Sequence, residues 1–159
     1  MNILVLGLGN AVMADDGLGV RVVARLQERF RFPEGVTVLD GGTLGLDLLP
    51  RLEGVDRLLI VDALEIGAPP GTVVRLEGEE VPRAFANKLS VHQMGVQDLL
   101  AVAELQGHLP GELVVWGAQP GSIEMSVELT PPVAGALEEI VDGVVAELRR
   151  WGRPPGLAA

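Results

Sequence analysis

Four aspartates and one histidine are the residues of this chain whose types and spacing are suited to chemistry. Asp15, Asp16, Asp40 and Asp62 each follow a short apolar run, and His92 lies farther along the chain. Carboxylates gathered in one place repel one another unless a cation or shared protons relieve them. If the fold brings these residues together, Asp16, Asp62 and His92 would form an open three-ligand site, suited to a borderline divalent ion such as nickel or zinc.

The same residues also have purely structural explanations. Asp15 or Asp16 can cap the helix that follows, and Asp40 can make an Asx turn before its glycines. A lone histidine such as His92 is more often structural than a ligand. Asp62 follows four apolar residues, so we expect it to be partly buried, where an unpaired carboxylate is costly. A functional role is therefore best supported for Asp62.

The elements that must position these residues alternate between strands and helices. Hydrophobic periodicity predicts strands at 2–8, 36–39, 58–61, 72–76 and 112–117, and helices at about 17–30, 43–52, 95–105 and 130–151. The stretch from the fourth strand to residue 87 is predicted to be irregular. This alternation predicts an α/β fold of three layers, a mostly parallel twisted sheet with helices on both faces. Ligands of such sheets bind outside the carboxyl ends of the strands, where the aspartates would meet.

The length of 159 residues predicts a single domain, which we assign to residues 1–151. Residues 152–159 are expected to be frayed. No run of about 18 apolar residues is present, so a membrane-spanning helix is not expected. No basic segment precedes the apolar residues 3–8, so a cleaved signal peptide is not expected and the cytoplasm is the expected compartment.

Composition and motifs exclude several classes of function. Twelve basic against 22 acidic residues give a formal net charge of −10, which makes nucleic acid an improbable partner. The absence of cysteine excludes disulfide scaffolds, thiolate metal sites and cysteine nucleophiles. The only lysine, Lys88, follows no glycine-rich loop, which excludes a P-loop. The dinucleotide-binding fingerprint fails at Val12, and no serine lies in a Gly-x-Ser-x-Gly elbow.

Five short motifs, in this order and spacing, resemble those of the hydrogenase maturation endopeptidases. They are Gly7-Leu8-Gly9-Asn10, Asp15-Asp16-Gly17-Leu18-Gly19-Val20, Asp40-Gly41-Gly42-Thr43, Val61-Asp62-Ala63 and Ser90-Val91-His92-Gln93. Each motif alone is weak, but five in register are specific, and the resemblance extends from Met1 to about Trp151. It implies a processing protease that removes a short C-terminal peptide from the large-subunit precursor of a nickel-iron hydrogenase after nickel insertion.

The resemblance also implies roles for particular residues. The acid of the first helix, the aspartate of the third strand and the histidine contact the metal in that family, and they correspond to Asp16, Asp62 and His92. Asp16 and Asp62 are then also the candidate catalytic residues. The supporting loop positions are Gly9, Asn10, Asp40 and Gly41. Some family members carry glutamate where this chain has the shorter Asp16. The nickel is expected to arrive with the precursor and to bind the free enzyme weakly.

Two other functions remain open at this stage. One is a self-contained metallohydrolase that holds its own ion tightly and acts on a small substrate. The other is a nickel chaperone or checkpoint that binds the precursor without cutting it. Activation of water is open as well: the metal can polarise the scissile carbonyl or the water, or Asp16 or Asp62 can act as a general base.

Overall fold

The computed structural model describes residues 1–86 and 91–158, with residues 91–94 described by their backbone alone. The strands are β1 (Ile3–Leu8), β2 (Phe30–Arg31), β3 (Val36–Gly42), β4 (Arg57–Ala63), β5 (Val73–Glu77), β6 (Glu112–Ala118) and β7 (Gly156–Leu157). The helices are α1 (Leu18–Arg29), α2 (Leu49–Leu52), α3 (Glu80–Ala86), α4 (Val91–Leu105) and α5 (Pro131–Arg150), and the 3-10 turns Ala14–Gly17 and Gly45–Leu48 precede α1 and α2.

Five strands form one sheet in the order β3-β1-β4-β6-β5. The first four are parallel, and β5 runs antiparallel to β6 at the edge. All six residues of β1 are buried, as expected for a strand covered on both faces. The predicted mostly parallel sheet is therefore confirmed.

Two hydrophobic cores lie on opposite faces of this sheet. On one face α1 and α5 pack against alternate residues of β1 and β4, such as Val5 and Leu59. On the other face α2, α3 and α4 pack against the intervening residues, such as Leu6 and Ile60. Successive side chains of each strand thus lie alternately in the two cores, and the predicted three layers are present.

Helices α3 and α4 correct the predicted element bounds. The stretch predicted to be irregular contains α3, because Val81 and Phe85 are buried and Pro82 lies in the first turn, where its missing N–H costs no hydrogen bond. Helix α4 begins at Val91, so His92 belongs to its first turn and does not precede the helix. Gly95 suggested a helix start, but it lies inside α4 at a point of close packing.

The C-terminal tail also differs from expectation. Gly156 and Leu157 form β7, which pairs antiparallel with Phe30 and Arg31, and the Ala158 amide donates to the Arg29 carbonyl at 2.9 Å. These backbone hydrogen bonds hold the segment that we expected to be frayed.

No helix within the described ranges combines the length and the apolar character needed to cross a bilayer.

Candidate active site

The carboxyl ends of three adjacent strands bring the predicted aspartates to one edge of the sheet. In the order β3-β1-β4, Asp40 lies near the end of β3, Asp15 and Asp16 lie in the 3-10 turn after β1, and Asp62 lies near the end of β4. The strand order makes these segments neighbours, as the alternating pattern predicted. We call this part of the molecule, where the candidate catalytic residues lie, the catalytic edge.

Asp62 lies in the central strand of the sheet and is fully buried. Strand β4 is paired on one side with β1 and on the other with β6, where Asp62 lies opposite Gly117. Its Oδ1 accepts a hydrogen bond from the Ala63 amide at 2.8 Å. A carboxylate fixed in a doubly paired strand has little freedom to move, so its position is set by the sheet itself.

Asp16 is buried in the 3-10 turn, at 2% exposure. Its Oδ2 accepts a hydrogen bond from the Asn10 amide at 3.1 Å. The turn folds tightly back on Gly9, whose φ is +134° and where a Cβ would lie 1.8 Å from the Asp16 carbonyl oxygen. Only glycine allows this approach, so Gly9 shapes the turn and the Asn10 amide hydrogen-bonds to Asp16 within it, while their part in the reaction stays a prediction.

The first turn of α1 lies directly on β4. A Cβ on Gly19 would lie 2.1 Å from the carbonyl oxygen of Val61, so the glycine lets the helix backbone touch the strand. Val61 immediately precedes Asp62, and Asp16 lies three residues before Gly19. The close packing therefore brings the Asp16 turn to the end of the strand that carries Asp62.

Asp40 occupies a different environment from the other aspartates. It is exposed, and its Oδ1 accepts a hydrogen bond from the Gly42 amide at 2.9 Å, which is the Asx turn considered above. The adjacent Gly41 is buried, and a Cβ there would lie 2.7 Å from a methyl group of Leu6. Asp40 thus lies at the rim of the catalytic edge.

Asp15 does not cap the first helix. Its fully buried carboxylate accepts four hydrogen bonds: from the amides of Gly121, Ser122 and Thr130 at 2.7, 3.1 and 2.7 Å, and from the Thr130 hydroxyl at 2.7 Å. The residue at the N-cap position of α1 is Gly17, which provides no side-chain cap. The capping interpretation is therefore wrong, because Asp15 instead fastens the segment after β6 to the turn that holds Asp16.

The backbone immediately before Asp15 is strained. Ala14 has φ of +48°, the only positive φ of a non-glycine residue in the described ranges. It is buried, and its amide donates to the Ser126 carbonyl at 2.9 Å. Strained residues held by their surroundings are concentrated at functional sites, and this one directly precedes the two buried aspartates.

Gln119 was not singled out from the sequence. It follows β6, is 5% exposed, and accepts a hydrogen bond from the Ile66 amide at 2.7 Å through Oε1. Its Nε2 donates to a carboxylate oxygen of Glu65 at 2.8 Å. Gln119 therefore ties the loop after β4 to the end of β6, on the side of Asp62 away from Asp16. Its position at the end of a fourth parallel strand is the signal that could have identified it.

His92 is the third predicted ligand. The His92 side chain lies outside the described residues, but the backbone of α4 begins at the same edge, since a Cβ on Gly95 would lie 3.0 Å from the Cα of Gly45, just after β3. The described side chains contain no group of three histidines or acids placed to hold a metal. The metal site formed by Asp16, Asp62 and His92 stays a prediction.

Comparison with known proteins agrees with the fold and with the family resemblance. The sequence model of a family described as hydrogenase maturation protease matches residues 20–147. The hydrogenase 2 maturation protease of Escherichia coli is 42% identical over 153 residues, covering 96% of this chain and 93% of the relative. The hydrogenase expression/formation protein HupD of Rhodobacter capsulatus is 44% identical over 152 residues, covering 94% and 72% respectively.

A solved structure of the E. coli hydrogenase maturating endopeptidase HybD superposes with a TM-score of 0.94 at 40% identity, covering 99% of this chain and 98% of that one. The chain belongs to the family of hydrogenase maturation proteases. It is a hydrolase, an endopeptidase whose partner is the precursor of a hydrogenase large subunit, from which the family cleaves the C-terminal peptide.

Proposed function

We propose that this endopeptidase cuts only a nickel-loaded precursor of a nickel-iron hydrogenase, with Asp16, Asp62 and His92 contacting the nickel that the precursor carries. The observation that supports this proposal is the burial of Asp16 and Asp62 at one strand edge. Two buried carboxylates at one edge repel each other unless a cation or a shared proton relieves them. A metal presented by the substrate would relieve this repulsion only while the complex lasts.

The donor set supports a shared metal. Two carboxylates and one imidazole would leave coordination positions for ligands from the precursor. A self-contained metallohydrolase can also hold its ion with three protein ligands and an open position, so the metal content of the purified enzyme distinguishes the two functions. On our proposal the free enzyme binds nickel weakly and is purified with little metal.

We propose that Asp16 and Asp62 also serve the hydrolysis itself. Cleavage of a peptide bond needs water to attack the scissile carbonyl, a base to take the proton from that water, and a proton for the leaving amine. A carboxylate within reach of the water can do both transfers in turn. The products are a large subunit with a new C-terminal carboxylate and a released peptide with a free amino group.

The decisive experiment offers the purified enzyme one precursor in metal-free, zinc-loaded and nickel-loaded forms and follows the mass of the large subunit. We expect cleavage of the nickel-loaded form only, because a fixed metal would position the scissile bond. Equal cleavage of the metal-free form would overturn the proposal and favour recognition of the tail peptide itself.

The ligand set is tested with the two histidines of the chain. We expect His92→Ala and Asp16→Ala each to lower the affinity for nickel measured by calorimetry, and by similar factors. His108→Ala is the matched control, because His108 is exposed in the loop after α4. Unchanged nickel binding in His92→Ala or Asp16→Ala would remove that residue from the ligand set.

A further inference from the structure

Exposed hydrophobic side chains are concentrated at the catalytic edge. Among the described residues, eight large hydrophobic side chains are exposed, and five of them follow β1, β3 or β6 at this edge: Val12, Leu44, Leu46, Met125 and Val127. The other three are Met1 and Leu157 near the chain ends and Leu105 at the end of α4. Single exposed hydrophobics need no explanation, but a cluster beside an active site marks an interaction surface.

Three of the five lie on two segments that are joined by backbone hydrogen bonds. The Ser126 amide donates to the Val12 carbonyl at 3.0 Å, and the Ala14 amide donates to the Ser126 carbonyl at 2.9 Å. Val12, Met125 and Val127, which are 50%, 84% and 65% exposed, flank these bonds; we call them the loop-pair surface. Ala14 lies two residues before Asp16, so this surface adjoins the catalytic edge. The hydrogen bond from Ala14 to Ser126 holds both.

Two acids frame the loop-pair surface. Glu124 precedes Met125 and Glu128 follows Val127, and both acids are exposed. Their amides donate to the hydroxyl oxygens of Ser122 and Ser126, each at 3.2 Å, which fixes the backbone at both ends of the segment. Neither carboxylate forms an ion pair with a described residue. The surface therefore presents an apolar centre between two negative charges.

We propose that the loop-pair surface docks the folded body of the large-subunit precursor beside its cleavage site, against an apolar patch that is framed by lysine or arginine. This inference rests on the proposed function for the placement of the cleavage site at the catalytic edge. Opposite charges around an apolar contact favour encounter and fix its register.

The size and charge of the surface favour this occupant over a second copy of the chain. A stable interface buries about 1,600 Å² in total, whereas three side chains suit a contact that is released after the cut. In a two-fold dimer the same patch would meet itself, so Glu124 and Glu128 would face like charges. A precursor with basic residues at this place has no such penalty.

The apolar part is tested by Met125→Asn and Val127→Asn, which remove hydrophobic surface without adding charge. We expect KM for the nickel-loaded precursor to rise about tenfold with kcat unchanged, because the lost contact acts in binding and not in the chemical step. Leu105→Asn is the matched control, since Leu105 is 87% exposed at the end of α4 away from the catalytic edge. It should leave KM unchanged.

The charged part is tested by the double variant Glu124→Lys, Glu128→Lys, with Glu104→Lys on the exposed end of α4 as control. We expect the association rate of the wild-type enzyme with the precursor to fall as the salt concentration is raised. The double variant should associate more slowly than wild type at low salt, and its association rate should depend less on salt. The control should behave as wild type.

Three outcomes overturn the inference: unchanged KM in both asparagine variants, an equal effect in the Leu105→Asn control, or a wild-type dimer in sedimentation equilibrium that these variants dissociate. Binding of the precursor is measured alongside cleavage. A wild type that binds the nickel-loaded precursor without cutting it would contradict the proposed function, while the binding data would still decide the docking surface.

Discussion

Asp15 at the catalytic edge and Glu147 in α5 are both buried carboxylates, at 0% and 4% exposure, but different groups satisfy them. Asp15 accepts hydrogen bonds from three backbone amides and one hydroxyl, all from residues 121–130. Glu147 accepts from the side chains of Arg75, Arg150 and Trp116. One acid is thus bound by a loop and the other by neighbouring side chains.

The Glu147 cluster fastens α5 to the antiparallel end of the sheet, because Arg75 lies on β5 and Trp116 on β6. The hydrogen bond to Glu147 raises the pKa of Arg75 above its ordinary value, although desolvation acts in the opposite direction. A raised folded-state pKa contributes stability that is present below the unfolded pKa and is lost as pH rises through the folded one. Arg75 therefore stays charged, and its contribution is constant, throughout the neutral and mildly alkaline range.

Because different groups bind the two acids, we expect substitutions of Asp15 and of Glu147 to have different effects. Removing Glu147 disturbs the packing of α5 on β5 and β6. Removing the Asp15 carboxylate takes away four hydrogen bonds between the segment 121–130, which carries part of the loop-pair surface, and the turn that holds Asp16, and leaves only the backbone hydrogen bonds between them. We therefore expect substitutions near Asp15 to change activity and stability together, and those near Glu147 to change stability alone.

The largest effect is expected for Asp62→Asn, which removes charge without changing side-chain volume. If Asp62 serves the chemistry, precursor cleavage should fall by about a thousandfold, as is typical for loss of an acid-base group. The asparagine oxygen can still accept the Ala63 amide, so we expect the fold to be retained, which thermal melting checks. Cleavage at the wild-type rate would make Asp62 a structural residue and the proposed site wrong.

Asp15→Asn should produce the next largest effect. An asparagine has one acceptor oxygen in place of two, so its amide nitrogen would face at least one of the donors from Gly121, Ser122 and Thr130. We expect a loss of about 3 kcal/mol in the free energy of unfolding, because buried donors are left unsatisfied. Since the turn that holds Asp16 also loosens, kcat of the remaining folded enzyme should fall about tenfold.

We expect Asp15 to act by positioning Asp16. The variant Asp15→Glu distinguishes this positioning role from a role in stability alone. The glutamate keeps both acceptor oxygens but is longer by one methylene, so it should recover more stability than kcat. Chemical denaturation and steady-state cleavage of the same preparations provide the two measurements. Equal recovery of both would assign Asp15 to stability alone.

Glu147→Gln should affect stability without affecting catalysis. The glutamine keeps the size of the side chain but leaves two arginines without their buried anion. Because the side chains of Arg75 and Arg150 are 26% and 56% exposed, they can rehydrate, and we expect a loss of about 2 kcal/mol, less than for a fully buried pair. Per folded molecule, kcat and KM should equal those of wild type. A change in kcat would contradict the separation between the two regions.

The sequence predicted the sheet and the edge at which the aspartates meet, because both depend on local patterns. Continuous apolar runs identify parallel strands, and the carboxyl ends of parallel strands share an edge. The burial of Asp62 was anticipated for the same reason. Helix α3 was missed because Gly78 and Pro82 indicate a loop, and only the packing of Phe85 in the core decides otherwise.

The role of Asp15 could not be predicted from local patterns. Its hydrogen-bond partners lie more than 100 residues away in the sequence, so Asp15 and Asp16 look equivalent as helix caps until the fold is known. The pairing of the tail with β2 depends likewise on a contact between residues far apart in the chain. In both cases the hydrogen bonds form only after the sheet has brought distant segments together, so local propensity cannot indicate them.

The smallest effect is expected where the same substitution is made in the two regions. Ala14→Gly removes the steric cost of a left-handed alanine, about 1 kcal/mol. It also loses a buried methyl group and raises the chain entropy of the unfolded state, and both changes destabilise the fold. The free energy of unfolding should therefore change by less than about 1 kcal/mol. Ala146→Gly, on the exposed side of α5 next to Glu147, has no strain to relieve and should cost about 1 kcal/mol. Chemical denaturation of both variants compares them directly. A larger loss for Ala14→Gly than for Ala146→Gly would mean that the backbone before Asp15 is not strained, and that the methyl packing of Ala14 alone holds the turn.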